Sequence, residues 1–229
     1  MSVKSYSLKK DGNKKLSPHF QVREFRCKDG TDKILIESEL ISVLEQVFDH
    51  FDCSKINIVS GYRTAKHDKR VGGKGRGNHV QGKAADFIAY DKNGNKIKSR
   101  YIVLYLEDIG IKGIGYRSGG NEYSTHIDVN YRLKKWYGDE KKSMSASIGK
   151  SFYGYLGIKY ASYMTIANLN IRTKPGLSGK KVDTVRIATM LKVAVNDLKI
   201  EADGHIWYKV KYNGRHYYSA SGYLKEAGK

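Results

Sequence analysis

Cysteine and proline are almost missing from this chain, with two of each in 229 residues. Cys27 and Cys53 make no CxxC spacing, which argues against a zinc site built from cysteines; whether the two pair stays open. Phenylalanine is scarce as well, six residues against 18 tyrosines, so aromatic surface is expected to be half-exposed, ring inward and hydroxyl outward. No apolar run approaches the length of a membrane span. The opening MSVKSYSLKKDGNKK lacks the apolar core of a signal peptide. Acidic residues are outnumbered, 23 against 42 Lys and Arg. The resulting charge of +19 attracts polyanions: nucleic acid, anionic lipid headgroups or a phosphate-rich polymer. It is spread over the chain, +12 before residue 160 and +7 from there on, so no single basic arm of the DNA-binding kind is present.

What is present is ordinary for a soluble globular protein, 40% apolar and 28% charged residues, in a chain long enough for one large domain or two modest ones. Residues 1–15 are polar and read as a loose lead-in. Residues 36–51 place Ile36, Leu40, Val43, Leu44, Val47, Phe48 and Phe51 on one helical face. Ile56–Val59 reads as a short buried strand. HVQGKAADFIAY reads as two paired strands, 79–81 and 84–87, joined by a tight turn at Gly82-Lys83. DKNGNK is a hairpin turn, 99–109 a helix closed by Gly110, and GIGY and THIDVN further strands. The composition then shifts. Residues 138–160 are rich in Ser, Gly and Lys without periodicity and read as a linker. Short β-prone segments separated by turns follow, a pattern that suggests a small barrel.

The chemistry concentrates in GNHVQGKAADF and THIDVN. A catalytic zinc takes three protein ligands and keeps one position open. His79, Asp86 and His126 supply such a set if strand pairing brings them together. Asp128, two residues beyond His126, shares its face and could move protons for a water at the metal. The same residues also fit a plainer arrangement, a core histidine hydrogen-bonded to a carboxylate.

SGYRT (60–64), VGGKGRGNHVQGKAAD (71–86), GIGY (113–116) and THIDV (125–129), in that order, resemble the D-Ala-D-Ala carboxypeptidase-like metallopeptidases, the M15 family. The opening SPHFQVREF resembles the start of one branch of it, and the resemblance covers about residues 16–137. It implies Zn2+ bound by His79, Asp86 and His126, and hydrolysis of amide bonds in peptidoglycan peptides. It further implies that Arg63 holds substrate or the developing oxyanion, a role suited to a guanidinium; a structural salt bridge is the alternative. Many members carry a catalytic Glu or Asp three residues before the last histidine, where this chain has Tyr123. The HxD form points to Asp128 as acid/base instead, with Glu122 in reserve, and Asp128 as an orienting partner of His126 as the other possibility. His67 reads as an exposed helix-start residue and His19 as structural. GGKGRG lacks the GKS/T ending of a phosphate loop and leads into no helix.

From about residue 161, ANLNIRTKPG and HIWYKVKYNGRHYYSASGYL resemble bacterial SH3-like wall-binding domains. Trp207 and Tyr218 are the expected ligand contacts, with Trp207 as barrel core the competing reading. The two resemblances together imply an α+β chain. A zinc peptidase domain with a central antiparallel sheet and flanking helices fills 1–137, a linker 138–160, and a small all-β SH3-like barrel 161–229. The expected partners are peptidoglycan and anionic wall polymers, not membrane or nucleic acid. The expected role is that of a phage endolysin, made in a host cytoplasm without a signal peptide and acting at the wall after release. A non-catalytic wall-binding protein with a degenerate peptidase domain is the alternative.

Overall fold

The computed structural model describes residues 2–116, 121–130, 136–139, 151–196 and 199–228. The chain divides into two compact units, Met1–Phe152 and Tyr153–Lys229. Among the described residues, no helix is long and apolar enough to cross a membrane.

The first unit opens with a strand, β1 (Val3–Ser7), and one turn of helix, α1 (Leu8–Asp11), where a loose lead-in was expected. β1 pairs antiparallel with β2 (Lys33–Glu37), Val3 opposite Glu37 and Ser7 opposite Lys33. The main chain supplies this pairing while its side chains stay largely exposed, so hydropathy gave no sign of it. β2 also takes Ile36 out of the expected helix. Ile34 and Ile36 are both buried, two apart, a strand's period. Helix α2 (Ser38–His50) then buries Leu40, Val43, Leu44 and Val47 along one stripe.

β3 (Lys55–Ser60), helix α3 (Ala65–Arg70), β4 (Ala84–Tyr90), helix α4 (Ser99–Asp108), β5 (Gly113–Tyr116), β6 (Thr125–Asp128) and β7 (Trp136–Asp139) follow. The sheet runs β3-β4-β6-β5-β7, antiparallel except for the β5–β7 pair. Alternation sorts its two faces. Ala85, Phe87, Ile127 and Ile114 are fully buried on one face and form the core with Leu44, Ile102 and Leu106. The opposite face carries Asp86, His126 and Asp128, with Asp86 across from His126 and Asp128 across from Ala84 and Gly113.

The hairpin expected between 79–81 and 84–87 does not form. β4 already has β3 on one edge and β6 on the other, so no edge is left for a third strand. Residues 78–83 instead make a compact turn, with Lys83 N–H donating to Asn78 O and Gly82 N–H to His79 O. Gly82, at φ +72°, lies against β2, where its carbonyl accepts from Glu37 N–H at 2.8 Å. A Cβ there would stand 2.5 Å from the carbonyl of Leu35.

The second unit is antiparallel throughout. A short helix, α5 (Phe152–Tyr155), spans the division between the units in sequence. β8 (Tyr160–Thr165), β9 (Leu169–Arg172), β10 (Lys181–Val185), β11 (Met190–Ala194), β12 (Lys199–Ala202), β13 (His205–Tyr212), β14 (Arg215–Ala220) and β15 (Leu224–Glu226) form one sheet. Its order is β10-β9-β14-β13-β11-β8-β15, with β12 on β13. Leu169, Ile171, Val185, Leu191, Val193 and Val210 make its core. Asp203-Gly204 and Asn213-Gly214 all have positive φ, the turn that matches strand twist in a two-residue hairpin. Of the expected linker 138–160, residues 140–150 lie outside the described residues, and the rest includes the end of β7, α5 and the first residue of β8.

Gly82→Ala forces a left-handed backbone on alanine and drives its Cβ into β2. It is expected to lower unfolding free energy by at least about 1–2 kcal/mol. Denaturant unfolding of the full chain measures it; an unchanged midpoint would contradict the close approach.

Candidate metal centre

Strand pairing places Asp86 and His126 side by side. They face each other on β4 and β6, and His126 Nδ1 lies 2.7 Å from Asp86 Oδ1. His79 comes from the turn before β4. Its Nδ1 sits 2.8 Å from Gly61 O, a contact that requires Nδ1–H as donor and leaves Nε2 with its lone pair. That Nε2 is 3.5 Å from Asp86 Oδ2. Arg63 N–H donates to His79 O at 3.2 Å and fastens this turn to the end of β3. Each of the three residues thus offers one ligand atom, and the three atoms lie within 4.8 Å of one another. His79 and Asp86 are buried and His126 nearly so.

The donor set fits a divalent cation of the zinc type: two imidazoles and one carboxylate, with one histidine held in a fixed tautomer by a backbone carbonyl. Its electrostatics also call for positive charge. Burial raises the pKa of Asp86, but hydrogen bonds and attraction from His126 and His79 outweigh it and hold the carboxyl well below its usual range. Burial likewise opposes charge on His126, yet Asp128 and Asp86 push its pKa up to about 10. Without a metal, the proton on His126 supplies the charge that the two carboxylates require.

Arg63 is placed against the metal-ligand candidate Asp86. Its Nη2 donates to Asp86 Oδ2 at 2.9 Å, its Nε to Ser60 Oγ at 2.9 Å, and its Nη1 to Asp68 Oδ1 at 3.4 Å. These contacts are those of the salt-bridge role weighed from sequence. Asp128 is buried, with Oδ2 3.8 Å from His126 Nε2. Its carboxylate lies over Gly113, where a Cβ would be 2.3 Å from Asp128 Cγ, so a residue without a side chain leaves that space. Glu122 is turned away from this cluster, its side chain 50% exposed and 3.5 Å from Lys98 Nζ.

Trp207 and Tyr218, the expected ligand contacts of the second unit, are 2% and 5% exposed. The Trp207 indole N–H donates to Ala202 O, and the Tyr218 ring lies 5.3 Å from Lys209 Nζ. In this structure both belong to the interior of the sheet. His67 is buried, contrary to expectation, because its ring packs inward with Nδ1 2.7 Å from Arg70 Nη2. His19 stacks on Phe48 and contacts Glu45, a structural role as expected. Sequence reasoning passed over Ser60, the Gly61 carbonyl, Asp68 and Gly113. Ser60 and Gly61 stand inside SGYRT, and Asp68 is five residues beyond Arg63 and just before the glycine run. No periodicity or composition marks any of the four.

Residues 15–128 match the family model of Peptidase M15. A comparison with curated proteins finds no match. Among solved structures, the chain is similar to the antimicrobial peptidase lysostaphin from Staphylococcus simulans, at 12% identity. That alignment covers 62% of this chain and 65% of the other, with a TM-score of 0.24. The family match spans all three donor residues, Arg63 and Asp128. Over residues 15–128 the chain is thus similar to the Peptidase M15 family.

Proposed function

We propose that this chain is a zinc-dependent, endolysin-like peptidase that hydrolyses an amide bond in the stem or cross-link peptides of bacterial peptidoglycan. On this reading the second unit is an SH3-like wall-binding module. The single observation that carries the proposal is the convergence of His79, Asp86 and His126 within 4.8 Å inside a segment similar to the Peptidase M15 family. Zinc held by these three residues supplies a Lewis acid toward a carbonyl oxygen and toward water.

The chain's own residues do the rest. The Gly61 carbonyl fixes the tautomer of His79, and Arg63 fixes the orientation of Asp86. Arg63 has five N–H groups in a planar fork, more than its side-chain contacts among the described residues use, so it can also bind a carbonyl oxygen that gains negative charge. Asp128 takes the proton of the attacking water and delivers it to the leaving amine. The exposed Glu122, engaged with Lys98, is the poorer candidate for that work. The net charge of +19 favours encounter with a wall that carries anionic polymers. A degenerate, purely wall-binding domain would have no use for a converged, tautomer-fixed donor set.

Digestion of purified cell walls should stop on addition of a chelator and return with zinc. His79→Ala should lose both metal and activity; zinc retained at full stoichiometry would remove His79 from the ligand set. Asp128→Asn should keep zinc and slow turnover by roughly two or more orders of magnitude. Joint loss of zinc and activity in Asp128→Asn would assign this carboxylate to holding His126. Activity that survives Asp128→Asn and dies in Glu122→Gln would transfer the acid/base role to Glu122.

The metal-free protein should show its own pH dependence. The depressed pKa of Asp86 contributes stability that is present above the ordinary carboxylate value of 3.8 and lost as pH falls further. The raised pKa of His126 contributes stability that is complete below its ordinary 6.5 and lost as pH rises toward about 10. Thermal unfolding in chelator should therefore peak between about pH 4 and 6.5 and decline steadily to about pH 10. His126→Gln should flatten the alkaline decline. A stability rising from pH 7 to 10 would contradict the charge state assigned to His126.

A further inference from the structure

The glycine-rich run over residues 72–77 has no hydrophobic reason to hold one shape, yet it leads directly into the ligand His79. Main-chain bonds at Gly72, Gly73 and Gly77 and the Gln81 amide on Arg76 O restrain its ends, and one buried side chain ties its middle down. Asp68, 4% exposed on α3, accepts from Gly75 N–H through Oδ2 at 2.9 Å and from Arg63 Nη1 through Oδ1 at 3.4 Å. Its main-chain carbonyl accepts from Gly73 N–H at 2.8 Å. Gly73 packs so close that a Cβ there would fall 2.2 Å from Asp68 Oδ2. Helix α3 is itself fixed at its start, where the Thr64 hydroxyl accepts from His67 N–H at 3.1 Å.

We propose that Asp68 is a positioning residue: one carboxylate clamps the glycine-rich run with one oxygen and locks the Arg63 guanidinium against Asp86 with the other. The proposal rests on the peptidase reading for its catalytic consequence, but not for the clamp itself. The physical reason for the arrangement is rigidity. A guanidinium held at Nε by Ser60, at Nη2 by Asp86 and at Nη1 by Asp68 cannot rotate, so its remaining N–H groups face one direction before substrate arrives. Because Arg63 N–H also holds His79 O, the same clamp reaches both sides of the metal centre. Asp68 touches neither substrate nor ligand atoms, so its effect passes through Arg63.

Two substitutions separate charge from position. Asp68→Asn keeps an oxygen acceptor for Gly75 and weakens the ionic contact to Arg63. Gly73→Ala keeps the charge and displaces the carboxylate. In the zinc-loaded full chain, each should lower kcat roughly tenfold or more, with KM little changed and zinc stoichiometry intact. In an Arg63→Ala background, Asp68→Asn should add almost no further loss, because residues acting through one group are not additive. An equal loss with and without Arg63 would overturn the proposal.

A readout independent of catalysis is nitrogen-15 NMR of the metal-free full chain. The Arg63 Nε–H and Gly75 amide signals should both move in Asp68→Asn and in Gly73→Ala, with signals of the β8–β15 sheet unchanged. If both signals stay in place, the clamp does not exist. If they move while the wild type hydrolyses no wall peptide, the peptidase reading fails and the clamp stands.

Discussion

The carboxylate of Asp86 is the point on which the site turns. One oxygen meets His126, the other meets Arg63 and lies near His79, and the side chain is almost wholly withdrawn from water. A carboxylate buried this deeply is tolerable only when positive charge stands beside it, and here Arg63 and the protonated His126 supply it. The same demand makes the place suited to a divalent cation. It also explains why His126 is driven toward its charged form when no cation is there.

Around that carboxylate the fold works as a set of fixed mounts. The β4–β6 register sets Asp86 opposite His126, and pairing of β5 with β6 sets Gly113 beneath Asp128. The turn that carries His79 is not part of the sheet, so it needs other anchors: Gly82 against β2, the Gly61 carbonyl on Nδ1, and the Arg63 amide on its carbonyl. The main-chain contacts come from segments far apart in sequence. Two of the three anchors depend on β3 and the SGYR segment that follows it, which is why Arg63 bears on geometry as well as chemistry.

The second unit presents a different physics. Its buried cluster is aliphatic, its hairpins are set by Asp-Gly and Asn-Gly turns, and Trp207 and Tyr218 are buried beside it, the former as its barrel-core reading has it. Lys209, 2% exposed, sits 5.3 Å from the rings of both Tyr153 and Tyr218. An ammonium there is stabilised by ring faces, and that arrangement gives Tyr218 a structural partner.

Much was legible in the sequence. Apolar spacing marked most of α2, a short apolar run marked β3, GIGY and THIDVN read as strands, and the Asn-Gly and Asp-Gly dipeptides marked turns whose backbone needs positive φ. The types of the chemical residues pointed to His79, Asp86, His126 and Asp128, because metal and proton chemistry restrict the side chains that can perform it; Arg63 came from the family resemblance of SGYRT alone. Tertiary structure decided what hydropathy does not encode. β1 adds to β2 through main-chain hydrogen bonds that its side chains do not announce, and His79 lies on a turn because both edges of β4 were already taken. Asp68 became part of the site only when folding buried it between Arg63 and a glycine-rich run. Such contacts depend on backbone atoms and on free strand edges, and neither leaves a pattern in side-chain order.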